Sequence, residues 1–491
     1  DSKKIKPLPN LEFKFICANS LIDLDQNSET PLGGKDHNAL AEELRTIRDA
    51  YFNTESLNKK KNLREKYNKL INEQEGLFGE SKRSKQLKTY RPFDNEWSAG
   101  FFNPEFMFGV EKFDVVIGNP PYVSAINLKK NLGAQEYEHL KSFYASAKGA
   151  VDLYILFIER GFKLLCNGGF LNFITPNRYL SASYGKALRE ILAKEKTLLE
   201  IVDYSHVRVF QAAGTYPIIS FFSNRKSEKE YSISIKKYNQ ETESYLSKSV
   251  FSSQLELVDG LLWGFLLNEK IDITTKVIRQ SVPLSRAGKI NATSTASEAD
   301  DYHSIINDNQ GIKLLNTGTI DKYVSLWGKK ELTDKGRRLL TPYYDIEKNV
   351  IKENRLKLYK SSKIIFAKIA ISTEAFYDEA GEYASVNTNC IHAFSADFDP
   401  KYVLSWVNSK LFQYCFECFF DGLRMSGGYL LYSAPNLLGM FIKAIPYNQQ
   451  KEFANIVDQI ISIKRVEIKS ETKELERKID HMFFNLYDLT D

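Results

Sequence analysis

Between residues 113 and 225, apolar β-branched runs alternate with stretches of helical periodicity, and few folds accept that alternation. Residues 113–117 read as a strand and DLYILFIERGFKLL at 152–165 as a helix. Gly168-Gly169 turn the chain into the strand FLNFITP. The helix YGKALREILAKE follows, then the strands LLEIVDY and YPIISFFSN. Strands alternating with helices predict an α/β fold with a doubly wound, largely parallel sheet. Its first strand carries Val115, Val116 and Ile117, a short apolar run of the kind that is buried in parallel sheets. Gly118 ends it, and Asn119-Pro120-Pro121-Tyr122 follows. Proline fixes φ and lacks an N–H donor, so this exit loop is stiff. Open α/β sheets bind ligands outside the carboxyl ends of their strands, and the loop is expected to hold one.

The side chains narrow the ligand's chemistry. The Asn119 amide oxygen and the Pro120 carbonyl can both point out of the turn. Two adjacent acceptors suit one –NH₂ group: adenine N6, cytosine N4 or a glutamine amide. Accepting both hydrogens draws the nitrogen lone pair out of conjugation and aims it at an electrophile, by fixed dipoles and positioning. The Tyr122 ring can lie against a planar ligand. A base inside a duplex cannot reach such a loop, so it would have to be flipped out.

The remaining sequence divides readily. Leu40, Leu44, Ile47 and Tyr51 repeat at helical spacing, residues 53–56 break the pattern, and Leu63, Tyr67, Leu70 and Ile71 resume it. A charged αα-hairpin is therefore expected as an insertion at about 36–92, preceded by a strand over 11–21. Residues 226–249, rich in Lys, Glu and Ser, read as a linker. Short strands such as KIIFAKIA follow, and residues 448–489 are helical and amphipathic. Cys415 and Cys418 sit in the apolar run YCFECFF and read as buried thiols rather than a zinc pair, and no metal is expected. Five scattered cysteines are no disulfide framework and fit a reducing, cytoplasmic setting. No run reaches the roughly 18 apolar residues that span a bilayer, so no membrane partner is expected. The net charge of +5 leaves room for a local basic face suited to an anionic partner.

Asn-Pro-Pro-Tyr after a strand resembles the amino-methyltransferases that use S-adenosylmethionine. LPNLEFKFICANSLI, DLYILFIERGFKLLCNGGFLNFITPNRYL, VFQAAGTYPIISFF, KIIFAKIA and IDHMFFNLYDLT follow in the order seen in DNA adenine-N6 methyltransferases with a TaqI-type specificity domain, as in type IIG restriction–modification enzymes. The resemblance spans nearly the whole chain. It implies a partial Rossmann-like methyltransferase domain at 1–225, the linker at 226–249 and a mixed α+β target-recognition domain with a helical end at 250–491. It further implies a bacterial cytoplasmic enzyme, S-adenosylmethionine as cofactor and double-stranded DNA as partner. Asn119, Pro120, Pro121 and Tyr122 correspond to the catalytic loop. Phe210, with Tyr216 as runner-up, corresponds to the aromatic that clamps the flipped base with Tyr122. Asn19, where the family often has aspartate, Pro121 and Phe157 correspond to cofactor contacts. Lys313, Asn316, Thr317, Lys368, Arg424 and Tyr429 are candidates for DNA contact, with phosphates held by Lys and Arg and base edges read by Arg and Asn.

One family motif is missing: the 26 glycines contain no Gly-x-Gly triplet to hold the methionine part of the cofactor. The first cofactor strands and any nuclease domain are expected to lie in a missing N-terminal segment or a separate chain. Two rival readings follow. One is a methyltransferase acting on RNA or on a protein glutamine. The other is a non-catalytic DNA-recognition piece that serves a partner.

Overall fold

A computed structural model describes residues 13–25, 37–77, 82–94, 96–210, 216–258, 260–269, 271–425, 427–467 and 471–489. The chain forms two compact units. One comprises residues 1–175, 194–199 and 219–227; the other comprises 176–193, 200–218 and 228–491.

In the first unit, helices α1 (His37–Phe52) and α2 (Leu57–Leu77) form the expected hairpin. Leu44, Ile47, Tyr51 and Tyr67 are buried and pack with Phe13, Phe101 and Met107. Phe13 meets Tyr51, Tyr67 and Phe93 edge-on at 5.1–5.5 Å, the geometry that aromatic quadrupoles favour. The strand expected over 11–21 begins outside the described residues. From Phe13 onward the chain makes turns and one bridge, Ala18 to Ala99, because its side chains alternate into the hairpin core rather than along a sheet.

Strands β1 (Phe113–Gly118), β2 (Leu165–Pro176), β3 (Thr197–Asp203), β4 (Pro217–Ser223), β5 (Ser232–Asn239) and β6 (Ser244–Phe251) make a mixed sheet in the order β1-β2-β4-β3-β5-β6. β1–β2 and β3–β5 are parallel and β5–β6 is antiparallel. Helix α3 (Leu153–Leu164) lies tight on β2: a Cβ at Gly161 would come within 2.5 Å of Leu171. Helix α4 (Lys186–Glu195) precedes β3.

Two expectations fail here. Residues 226–249 are no linker: Ile233 and Ile235 point inward from β5, and eight register pairs join it to β6. β1 is not buried either. It ends the sheet, and Val115 and Ile117 are 51% and 75% exposed, beside Phe170 at 50%.

The second unit contains a four-stranded sheet in which β7 (Lys363–Ala367) lies between β8 (Ala375–Asp378) and β9 (Thr388–His392), with Lys289–Ala292 outermost. Lys363 therefore lies on an inner strand. It is fully buried, and its ammonium is shared by the Asp378 carboxylate and the Tyr359 and Ser361 carbonyls. A buried ammonium persists only with such a full set of acceptors.

Helix α5 (Lys410–Phe420) buries Cys415 and Cys418 as free thiols, and burial raises both above the ordinary thiol range. The chain closes on α6 (Tyr447–Val466) and α7 (Lys473–Leu486), whose apolar faces meet through Phe453 and Phe483, centroids 4.5 Å apart. No helix among the described residues is long and apolar enough to cross a membrane.

Candidate active site

β1 delivers Asn119 to solvent at the carboxyl end of its strand. Asn119 and Pro121 are exposed, Pro120 is buried and Tyr122 is half-buried. No described residue bonds the Asn119 amide or the Pro120 carbonyl. Tyr122 is turned inward: its hydroxyl donates to the Ile174 carbonyl at 3.0 Å, and its ring meets Tyr154 edge-on at 6.5 Å. Burial pushes the phenol up to about 12, so it stays a donor at neutral pH. The loop's far end is fixed as well. Leu153 donates to the Val123 carbonyl at 2.9 Å, and Ala125 donates to Asp152 at 3.1 Å. Gly118 lets the strand end against Phe173, where a Cβ would approach within 2.9 Å. The loop thus presents the exposed Asn119 amide oxygen and, on the buried Pro120, a second carbonyl with no described donor, on a pinned backbone.

Asn19 is exposed on a turn, its amide oxygen accepting from Leu21 N–H at 3.2 Å. Phe157 is half-buried on α3. Arg160 couples these two sites. From α3 it donates to the Ser20 carbonyl at 2.8 Å and the Phe102 carbonyl at 2.7 Å, and it pairs with Asp23 at 3.0 Å. Beside it, Glu159 accepts from Ala145 and Ser146 and pairs with Lys163 at 2.8 Å. These contacts hold its carboxyl below the usual range against its own burial. Sequence reasoning missed Arg160 and Glu159. Their only sequence signal is a charged pair inside an otherwise apolar helix. Arg160 thus braces the backbone beside Asn19 from the helix that carries Phe157.

In the second unit Phe210 is half-buried and Tyr216 is 39% exposed. Residues 211–215 of the VFQAAG stretch lie outside the described residues. The DNA-contact candidates separate into three groups. Lys313 is engaged, with its ammonium 3.2 Å from Glu382 and over the Trp327 and Tyr383 rings. Asn316 and Thr317 shape the turn beside Lys368: Thr317 Oγ1 accepts from the Lys368 N–H at 3.1 Å, and Asn316 Oδ1 from the Gly318 N–H at 2.9 Å. The Lys368 ammonium has no described partner. Arg424 and Tyr429 share a loop, but the Arg424 guanidinium is divided among Asp421, Glu417 and the Gly428 carbonyl. Tyr429 is 42% exposed. Lys368, Tyr429 and the Nδ2 of Asn316 are thus the candidates with groups to spare among the described residues.

Residues 14–210, which contain the loop, match the family model of the Eco57I restriction-modification methylase, and residues 313–426 match that of the TaqI-like C-terminal specificity domain. The chain carries both domains. It is 29% identical over 247 residues to the type II restriction enzyme and methyltransferase RM.Eco57I of Escherichia coli, a match covering 48% of this chain and 23% of that one. It is 32% identical over 155 residues to the type II methyltransferase M.BanIII of Aneurinibacillus aneurinilyticus, covering 31% of this chain and 26% of that one. The matches thus span about a quarter of these relatives' length. Among solved structures, the type IIL restriction-modification enzyme MmeI in complex with DNA aligns over 77% of this chain and 55% of its own. Its identity is 11% and its TM-score 0.43. The type IIG restriction endonuclease BpuSI aligns over 81% and 57%, at 14% identity and a TM-score of 0.30. The methylase domain holds the Asn119 loop, and the specificity domain holds all six DNA-contact candidates except Tyr429, which lies three residues beyond its matched end.

Proposed function

We propose that this chain is the methyl-transferring and target-reading part of a DNA adenine-N6 methyltransferase of a bacterial, cytoplasmic restriction–modification system. Residues 1–225 carry out transfer and residues 250–491 read double-stranded DNA. The observation that carries this reading is the exposed Asn119 amide, which no described residue bonds, at the head of the Pro120-Pro121-Tyr122 loop within the stretch that matches the methylase family. A flipped adenine gives its two N6 hydrogens to Asn119 Oδ1 and the Pro120 carbonyl, which localises the N6 lone pair for attack. Tyr122, held by Ile174, packs against the ring. S-adenosylmethionine, when bound, supplies an electrophilic methyl group, and Asn19, Pro121 and Phe157 are the residues that would hold it. In the specificity domain Lys368 holds phosphate, and Asn316, Thr317, Arg424, Tyr429 and Lys313 build the surface around it.

A second reading is favoured by β1. Among the described residues no strand pairs with its outer edge, Asp114 is its one charged residue, and Ile117 is 75% exposed. A further N-terminal segment or partner chain would pair there and complete cofactor binding, and without it this chain would only recognise DNA.

The test is transfer of labelled methyl from S-adenosylmethionine to unmethylated bacterial DNA. Label on adenine N6 that falls at least about 100-fold in Asn119→Ala is the expected result, the scale of losing one aligned polar group. Label on cytosine, on RNA or on protein would replace the substrate assignment. Salt-sensitive duplex binding without label would select the recognition-only reading.

A further inference from the structure

Residues 57–70 of α2 hold six cations, Lys59, Lys60, Lys61, Arg64, Lys66 and Lys69, against one carboxylate, Glu65. That net of +5 equals the net charge of the whole chain. Packing within the hairpin decides which cations face out. Tyr67 is buried, and Leu63, Leu70 and Ile71 pack beside it. Two cations are drawn to the same side. Lys60 lies over the Tyr51 ring at 5.8 Å. Arg64 lies over the Phe93 ring at 4.8 Å, and its Nε donates to the Tyr51 hydroxyl at 3.1 Å. Lys59, Lys61 and Lys66 are exposed, with Asn58 and Asn62 among them. No described residue pairs with any of these three lysines.

This arrangement works against the helix that carries it. A helix N-terminus is partly positive and favours carboxylates in its first turn. α2 has none there and instead places Lys59, Lys60 and Lys61 in a row at that end. They repel one another and the dipole, and Lys59 and Lys61 return no described side-chain contact to the fold. An anion lying along this face would reverse the sign of both effects. The exposed cations are spread along a helix surface rather than gathered round a cleft, which suits an extended polyanion over a single small anion. Duplex DNA carries one negative charge for about every 1.7 Å of its axis. Asn58 and Asn62 can donate to the same phosphate oxygens.

We propose that the outward face of α2, through Lys59, Lys61 and Lys66, grips the phosphate backbone of double-stranded DNA without reading its sequence. It gives the methylase domain a hold on DNA of its own, besides that of the specificity domain. Lysines on phosphates carry no base information, so this hold is the same on any duplex. That the polyanion is DNA rests on the function proposed above; the cluster of unpaired cations does not.

The experiment is a fluorescence-anisotropy titration of a random-sequence DNA duplex with the full chain, at several salt concentrations and with no methyl donor. Each lost phosphate contact flattens the dependence of log affinity on log salt by about 0.9. Lys59→Gln, Lys61→Gln and Lys66→Gln together should flatten it by about 2–3 and weaken binding at least tenfold at the lowest salt. Their thermal transition should not fall, because the dipole loses its opponents. Lys451→Gln, Lys473→Gln and Lys478→Gln remove the same charge from exposed sites on α6 and α7 and should leave the slope unchanged. Lys59→Arg, Lys61→Arg and Lys66→Arg together should bind as the parent does. An unchanged slope or a lower thermal transition in the α2 glutamine variant would overturn the proposal. So would an equal change in the α6–α7 variant, lost binding in the arginine variant, or tighter binding of duplex RNA or phosphatidylserine vesicles than of DNA. Failure of adenine methylation with the α2-dependent slope intact would overturn the proposed function and leave this surface standing.

Discussion

β1 and β7 are nearly the same strand on paper: FDVVIG and KIIFA, each a β-branched run with a charged residue at or near its start. In the molecule they are opposites. Ile364, Ile365 and Phe366 have no solvent exposure, whereas Val115 and Ile117 are half to three-quarters exposed. β7 has a neighbour on each side, while β1 ends its sheet. Burial is therefore decided by what packs over and beside a run, not by the run itself: Phe170, on β2 with a strand on each side, is still 50% exposed. The difference also sorts the polar groups. Lys363 on β7 is locked into a closed set of bonds, while Asn119 after β1 keeps its acceptor open. One strand's polar group is engaged by the fold and the other's is left without a described partner.

The largest expected effect comes from breaking the closed set. Asp378→Ala strands the Lys363 ammonium in the interior, which costs about 3–5 kcal/mol. Urea denaturation should show the second unit unfolding much earlier. Lys363→Met together with Asp378→Leu should recover most of the loss, because an apolar pair of similar volume replaces a buried ion pair at little cost. A single Asp378→Ala effect under 1 kcal/mol would mean that water reaches the ammonium.

Asn119→Ala should behave in the reverse way. The amide has no partner to lose, so stability should stay within about 0.5 kcal/mol of the parent. Methyl transfer should fall about 100-fold or more, equivalent to roughly 2.7 kcal/mol in the transition state. A matching loss of stability would place Asn119 in the same class as Lys363.

The contrast also explains what the sequence made legible. The alternation of strands and helices, the α1–α2 hairpin and the helical C-terminus are local periodicities, and each appears where its spacing predicts. The Asn119 loop could be singled out because its four residues are consecutive in the chain. Asn177, Asp203 and Gly422 could not, since the chain must fold before they line one cavity. The β5–β6 hairpin was hidden by its Lys and Ser content, although Ile233 and Ile235 alternate as a half-buried strand should. Arg160 and Lys363 were overlooked for a related reason. A charge within an apolar run declares a partner without saying which one.

The smallest effect probes β1 itself. An isoleucine that is 75% exposed contributes little burial, so Ile117→Ser should shift stability by no more than about 0.5 kcal/mol. Ile365→Ser, in the middle of β7, removes a side chain with no exposure and leaves a hydroxyl among apolar neighbours. It should cost at least the 2–5 kcal/mol of a large-to-small core change. The pair tests surroundings as the cause, since the residue type and the substitution are matched. A cost above about 1.5 kcal/mol for Ile117→Ser would mean that this face of β1 is covered in solution. Adding chain that precedes residue 1 gives a further reading. If such a segment pairs with β1, Ile117→Ser should become costly only in the longer protein. The open edge would then be the surface on which the methylase domain is completed.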